Sequence, residues 1–372
     1  MDREIRIAVV GVGNCASSLL QGVEYYKHTQ LENNSGLAFP SVAGYLPQHI
    51  KVVSAFDIDE RKVGIPLEEA IFSKPNCTTI FWKELPDYNV IVKMGPVLDG
   101  VAPHMSHYPD DQAFKASRCE PVNVVEELKK SRAEILMCYL PVGSEEAVQF
   151  YARACLEAGV AMVNCIPVFI ASNPEWAEEF KKRSLPIVGD DIKSQFGATL
   201  LHRIITRVMT DKGIKIKRTY QLNTGGNTDF LNMLEQSRLK SKKKSKTQAV
   251  QSQLDLPLEA ENIHIGPSDY VPWQKDNKVC FLRIEAEGFG GVPLNLEARL
   301  SVEDSPNSAG VAIDAIRFAK VALDRKIGGP LLEISAFAMK SPPVQMRDSE
   351  AFEAVQEFLK QAPKISLAKS NQ

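Results

Sequence analysis

The chain has 372 residues, 44% of them hydrophobic and 24% charged, and a formal net charge of −2. That length allows a large core and two domains, and the composition is that of a globular protein. The near-neutral balance gives no global field to recruit nucleic acid or an anionic membrane, and no apolar run reaches the ~18 residues a membrane helix needs.

The N-terminus, MDREIRIAVV, carries charges and passes directly into a strand pattern. It lacks the layout of a signal peptide, so a cytoplasmic protein is expected. The seven cysteines are odd in number, scattered and without a CxxC pair. They read as reduced packing residues rather than disulfides or zinc ligands. The histidines show no paired metal spacing.

Ile5 to Val10 has the composition of a buried strand, and Gly11-Val12-Gly13-Asn14-Cys15-Ala16 leads into a helical run from Ser17 to Tyr26. This is GxGxxA in strand–turn–helix context. The first glycine permits a tight turn, the second lets backbone approach a pyrophosphate, and the small residue lets helix and strand pack closely. A second strand, Val52 to Phe56, ends at Asp57. An acid there suits the ribose hydroxyls of NAD and repels the extra phosphate of NADP. Asp57 lies well beyond the usual ~20-residue gap of this fingerprint. The polar, Gly/Pro/Asn-rich residues 28–49 account for the excess as an insertion.

Strands are predicted at Asn89–Lys93, Glu134–Leu140, Val160–Cys165 and Leu185–Val188. Helices are predicted at Val122–Lys130, Ser144–Ala158 and Glu175–Arg183, and a long loop spans Gly95–Glu120. This alternation specifies a Rossmann-type doubly wound parallel sheet. After a helix from Ser194 to Thr210 the texture changes. Lys215–Leu222, Val279–Glu287 and Leu294–Val302 alternate as strands, which implies a second, α+β catalytic and oligomerisation domain with an open mixed sheet. Helices follow at Ser308–Leu323 and Ser349–Leu359, and the tail from Ala362 is expected to fray. We assign residues 1–198 to the dinucleotide domain and 199–304 to the second domain. The segment from about 305 to 372 is expected to pack back on the first.

Gly189-Asp190-Asp191-Ile192-Lys193-Ser194 sits where a strand ends and a helix is expected to begin. Its bland reading is a solvated turn, because acids suit a helix start. Its functional reading is the ligand-facing edge at the carboxyl ends of the strands. Six cations lie between Arg238 and Lys246. The segment has no interleaved aromatics, which speaks against a nucleic-acid patch. On a helix Lys242 and Lys246 share a face and make a clamp for phosphate or an enolate. With few apolar anchors, 235–254 is expected to be mobile without ligand. Lys278 and Lys340 taken singly read as surface lysines, and Asp304 as a capping acid.

Taken together, GVGNCASSL, GDDIKSQFGAT, NTGGNTDFLNM, SKKKSK, GPSDYVPWQKDNK, SVEDSPNSAGVAIDAIR and FAMKSPP resemble the inositol-1-phosphate synthase family (myo-inositol-3-phosphate synthase by the other numbering), in its shorter bacterial and archaeal branch. The resemblance runs over nearly the whole chain. It implies that glucose 6-phosphate, in open-chain form, is oxidised at C5 by NAD, enolised at C6, closed by an intramolecular aldol step onto C1 and reduced again. It implies a homotetramer and leaves room for a divalent or monovalent cation near the phosphates.

Carried onto matching positions, the resemblance gives Lys242 and Lys278 charge stabilisation and proton transfer around C5 and C1. Lys246 and Lys340 would hold phosphate or assist the aldol step, and Asp229 and Asp304 would orient lysines. The substrate phosphate can itself serve as the base for C6. Gly11, Gly13, Asn14 and Asp57 would hold pyrophosphate and adenosine ribose. Asp190, Asp191, Lys193 and Ser194 would approach the nicotinamide and its ribose. The alternative is an NAD-dependent dehydrogenase acting on another phosphorylated sugar or acid.

Overall fold

A computed structural model of the chain describes residues 3–29 and 36–361, so the tail from Ala362 and part of the 28–49 insertion lie outside the described residues. The first half is built from β1 (Ile5–Val10), α1 (Asn14–His28), β2 (Ile50–Asp57), α2 (Leu67–Ala70), β3 (Lys93–Met94), α3 (Val124–Ser131), β4 (Ile135–Cys138), α4 (Glu145–Ala158), β5 (Ala161–Asn164), α5 (Pro174–Lys182) and β6 (Pro186–Val188). Its strands are all parallel and lie in the order β6-β5-β4-β1-β2-β3. Apolar runs such as Ile135–Cys138 and Ala161–Asn164 are buried along their whole length. Helices covering both faces of a parallel sheet demand that pattern. The connections reverse direction between β1 and β4, which opens a crevice at their carboxyl ends.

The second half contains α6 (Ala198–Asp211), β7 (Lys215–Gly225), α7 (Thr228–Asn232), α8 (Lys240–Gln251), β8 (Ile263–Tyr270), β9 (Asn277–Glu287), β10 (Pro293–Glu303), α9 (Asp304–Asp324), β11 (Gly329–Pro330), α10 (Leu332–Ala338) and α11 (Asp348–Lys360). A separate four-stranded sheet runs β10-β9-β7-β8. β7, β9 and β10 pair antiparallel and β8 joins β7 in parallel, so this sheet is mixed. The chain then returns to the first sheet. β11 adds to the β6 edge, and Ile313, Ile316 and Phe318 of α9 share a core with Leu19, Leu20 and Val23 of α1.

Three local expectations are corrected. The strand at 89–93 shrinks to Lys93–Met94, at the edge of the sheet where Ile91 is exposed. β8 carries Gly266 and Pro267, which hide its strand character in sequence and fit an edge position. The basic run is the ordered helix α8, held through buried Ala249 and Val250 rather than left as a loop. Loop 95–120 carries a short turn at Pro103–His107, and Ala102, Met105 and Ala113 pack with Leu231 of α7. That contact roofs the crevice of the first sheet with elements of the second. Among the described residues no helix is long and apolar enough to cross a membrane.

Candidate active site

A cavity of about 1560 Å³ of free space, counting its open mouth, runs from the glycine loop to the lysines. The lining is continuous, with Gly11, Gly13 and Asp57 at one end and Lys242, Lys246, Lys278 and Lys340 at the other. At one end Gly11 has φ +89°, and a Cβ there would meet the Tyr139 carbonyl oxygen at 2.5 Å. A Cβ on Gly13 would meet nothing within 4 Å and would project into free space. Gly13 caps α1 without any side-chain hydrogen bond, so the first N–H groups of the helix are not satisfied by a cap. Such a terminus is suited to an anion. Asp57 accepts from Val12 N at 2.6 Å, Ile58 N at 2.7 Å and Asp59 N at 2.8 Å, which fixes the loop against the end of β2. The uncapped N–H groups of α1, the open cradle at Gly13 and the Asp57 carboxylate fit NAD. Asn14 lines the cavity, but its carboxamide oxygen accepts from Cys77 N at 2.7 Å and Thr78 N at 3.0 Å. Its side chain therefore pins a neighbouring loop.

At the other end the hub is Asp191. Residues 190–193 and 338–341 exchange backbone hydrogen bonds, including Lys340 N to Asp191 O at 2.7 Å and Ser341 N to Asp190 O at 2.9 Å. This ladder sets Lys340 beside Asp191. The Asp191 carboxylate, 1% exposed, pairs with Lys340 Nζ at 3.1 Å and Lys242 Nζ at 3.5 Å and accepts from Ser245 Oγ at 2.6 Å. Burial alone would raise its pKa. The charges of Lys242 and Lys340 and the Ser245 hydroxyl outweigh that and hold it at about 2. Across the cavity Lys278 Nζ pairs with Asp304 at 3.0 Å, at the first residue of α9. Burial opposes ionisation of Asp304, but Lys278, Lys340 and Lys242 draw its pKa below the usual range.

Lys246 is different. It is 3% exposed, and among the described residues no carboxylate lies within ion-pairing distance of its amine. Burial, then the charges of Lys278, Lys242 and Lys340, push its pKa far below that of an ordinary lysine. Lys340 is lowered too, chiefly by burial. Asp229, in the first turn of α7, lines the cavity and adds negative charge near Lys242. A second, smaller recess shares Lys246, Lys278, Lys340 and Ser194 with the main cavity and ends at Gly197, Ala198 and Thr199, the start of α6. Amines and a helix N-terminus converge there, as an anion site requires.

Two residues of the acidic motif go elsewhere. α6 begins at Ala198, not Ser194, so the acids do not sit on its first turn. Asp190 is fully buried beneath residues 170–172 and accepts from Asn164 Nδ2 at 2.7 Å, Ala171 N at 3.1 Å and Ser172 Oγ at 2.8 Å. Burial raises its pKa to about 6 despite those donors. Lys193 turns to Ala336 O at 2.7 Å and Asp348 at 3.0 Å, and burial lowers it to about 8. Asp348 also holds buried Arg203 at 2.8 Å. Arg203 donates to Ala249 O of α8 and to Met346 O, so one guanidinium fastens both lysine-bearing segments. Neither Asp190 nor Lys193 lines the main cavity, whereas Asp191 and Ser194 do.

The family model for myo-inositol-1-phosphate synthase matches residues 197–305. The chain is 53% identical to inositol-3-phosphate synthase of Mycolicibacterium smegmatis, over 96% of this chain and 98% of that protein. It is 51% identical to inositol-3-phosphate synthase of Corynebacterium glutamicum, over 96% and 99%. The chain belongs to the inositol-3-phosphate synthase family. The crystal structure of Ari2 superposes with a TM-score of 0.76 at 34% identity, covering 96% of this chain and all of that one. Inositol-3-phosphate synthase of Caenorhabditis elegans shares the fold, with a TM-score of 0.73 at 15% identity over 96% of this chain and 86% of that one.

Within this member of the family, sequence reasoning missed one cavity residue, Lys62, and two that brace the lining, Asp276 and Ser245. Asp276 is 1% exposed and accepts from Asn227 Nδ2 at 2.9 Å and Ser305 Oγ at 3.0 Å, linking the starts of α7 and α9. Burial, then the charge of Asp304, raises its pKa to about 6. Its place two residues before Lys278 was the available signal. Ser245, between Lys242 and Lys246, and Lys62 carried none beyond residue type. Among the described residues no group of three or more His, Cys, Asp or Glu side chains is placed to hold a metal ion.

Proposed function

We propose that this protein converts D-glucose 6-phosphate to 1D-myo-inositol 3-phosphate with NAD as a recycled cofactor. The observation that carries the reading is the convergence of Lys242, Lys246, Lys278 and Lys340 on one cavity that continues from the glycine loop. NAD, when bound, supplies an acceptor and donor of hydride. Gly11, Gly13 and the start of α1 hold its pyrophosphate, and Asp57 takes the adenosine ribose. Asp191 and Ser194 border the space left for the nicotinamide.

The chain's own work is electrostatic. Oxidation at C5, enolisation and aldol closure each place negative charge on an oxygen of the substrate. Preorganised ammonium groups in a water-poor cavity stabilise those charges. Lys242, kept protonated by Asp191, Asp229 and Asp304, and Lys278, paired with Asp304, face the oxygens of C5 and C1. Lys246 and Lys340, which line both the main cavity and the narrow recess behind it at the start of α6, receive the substrate phosphate. A dianion there offsets the burial and like charge that depress Lys246. The phosphate then serves as the base for C6, so no dedicated carboxylate is needed.

The seven free cysteines support a reducing compartment, and we place the protein in the cytoplasm. The mixed sheet leaves Tyr220 of β7 and Phe281 of β9 exposed, which supports assembly through this sheet into a homotetramer. The test is incubation with NAD and glucose 6-phosphate, followed by assay for periodate-labile inositol phosphate. Product without net NADH is expected. Stoichiometric NADH release would favour a dehydrogenase on a phosphorylated sugar or acid, and tight NAD binding with no inositol phosphate would defeat the assignment.

A further inference from the structure

We infer that Lys62 is a second determinant of cofactor recognition: it binds the adenosine ribose from the side facing Asp57 and tempers that acid's exclusion of a 2′-phosphate. This rests on the dinucleotide reading above. Lys62 lies in the turn that follows β2, and it lines the cavity with Gly11, Gly13, Asp57 and Asn76. It is 3% exposed.

The usual reasons to bury a lysine are missing. Among the described residues its amine has one hydrogen-bond partner, Asn76 Oδ1 at 2.8 Å, and no carboxylate within ion-pairing distance. An ammonium carries three donors, so two are left without a partner. The acids nearby are already engaged. Asp59 is held by Arg61, whose Nε donates at 2.8 Å, and Asp57 accepts from three backbone N–H groups. Their charges still act on Lys62, while burial, the larger effect, lowers its pKa. A buried ammonium with unfilled donors is costly unless a ligand supplies acceptors.

The anchor is also tied to the cofactor loop. Asn76 Nδ2 donates to Val12 O at 3.1 Å and to Ile71 O at 2.9 Å. Asn76 thus holds the amine of Lys62 against the loop that approaches the pyrophosphate. Acids at the end of β2 take ribose hydroxyls, and a cation nearby accommodates a 2′-phosphate. Here both stand in one corner of one cavity.

The experiment is titration of the full-length protein with NADH and with NADPH, followed by nicotinamide fluorescence, for the wild type, Lys62→Gln, Lys62→Met and Lys62→Arg. Lys62→Gln and Lys62→Met remove a charge-assisted donor, so they should weaken NADH about tenfold and NADPH by a further factor of about ten. Lys62→Arg should keep the wild-type ratio of the two affinities to within about threefold. The glutamine retains an amide donor for Asn76 and guards against a folding defect of the methionine variant. A wild type that binds NADH, with Lys62→Gln binding both dinucleotides as tightly, overturns the role of Lys62 alone. A wild type that binds neither overturns it together with the cofactor reading.

Discussion

At the end of the cavity nearest Gly11 main-chain N–H groups on a turn and a helix start are joined by a single amine, Lys62, whereas at the end nearest Lys340 four amines on long side chains converge. The first end is held by backbone geometry, by Asp57 and by the Asn76 amide that ties Lys62 to the loop. The second is held by mutual charge, with Asp191 between Lys242 and Lys340 and Asp304 against Lys278. A cradle of backbone suits a ligand that keeps its charge throughout. A cradle of amines suits one whose charge moves from oxygen to oxygen.

The largest way to break this contrast is Asp191→Asn. It removes the partner shared by two buried amines, and loss of one member of a buried ion pair costs about 3–5 kcal/mol. Urea denaturation should show that loss at neutral pH. Asp191 also sets an acid limit. Its folded pKa of about 2 lies below its value in the unfolded chain, so its contribution is present above about pH 4 and is lost as pH falls through about 2. Acid unfolding of the asparagine variant should lack that step. Unchanged stability in urea would show that the amines do not depend on this carboxylate.

Next come Lys242→Ala and Lys278→Ala. Each removes a preorganised donor, so kcat should fall roughly 10²–10³-fold while circular dichroism and NAD binding stay as in the wild type. Near-normal turnover in either variant would remove that residue from the charge-stabilising role.

The smallest effects separate the two glycines at the backbone end. Gly11→Ala meets the Tyr139 carbonyl and a positive φ, so it should cost stability, on the order of 1–3 kcal/mol. Gly13→Ala meets nothing in the protein, so Tm should hold while NADH affinity drops about tenfold, because the methyl occupies space the pyrophosphate needs. If both variants behaved alike, the division between a glycine kept for the fold and one kept for the ligand would fail.

The two ends were unequally legible in the sequence. Gly11, Gly13 and the strand before them are local, and the doubly wound sheet follows from alternation along the chain. The amine end is assembled from residues 191, 242, 278, 304 and 340, and only the family resemblance joined them. Local reading failed where neighbours diverge. Asp190 and Asp191 are adjacent, yet one is buried under residues 170–172 and the other meets the lysines, with Asp191 at φ +63° between them. Lys193, which the family resemblance assigns to the nicotinamide and its ribose, pairs with Asp348. β8 was missed because Gly266 and Pro267 interrupt its pattern, and α8 was read as mobile because its tether, Arg203 to Ala249 O, comes from a helix far upstream.

The seam between loop 95–120 and the second sheet has a consequence for turnover. Beyond Met105 and Leu231, it is stitched by His104 to Leu231 O, Tyr270 to Gln112, and Arg238 to both Asp99 O and Val142 O. On the proposed reading, a dinucleotide lodged beneath that stitching would be released only as several of these contacts open together, so the seam would slow exchange of the nucleotide between cycles.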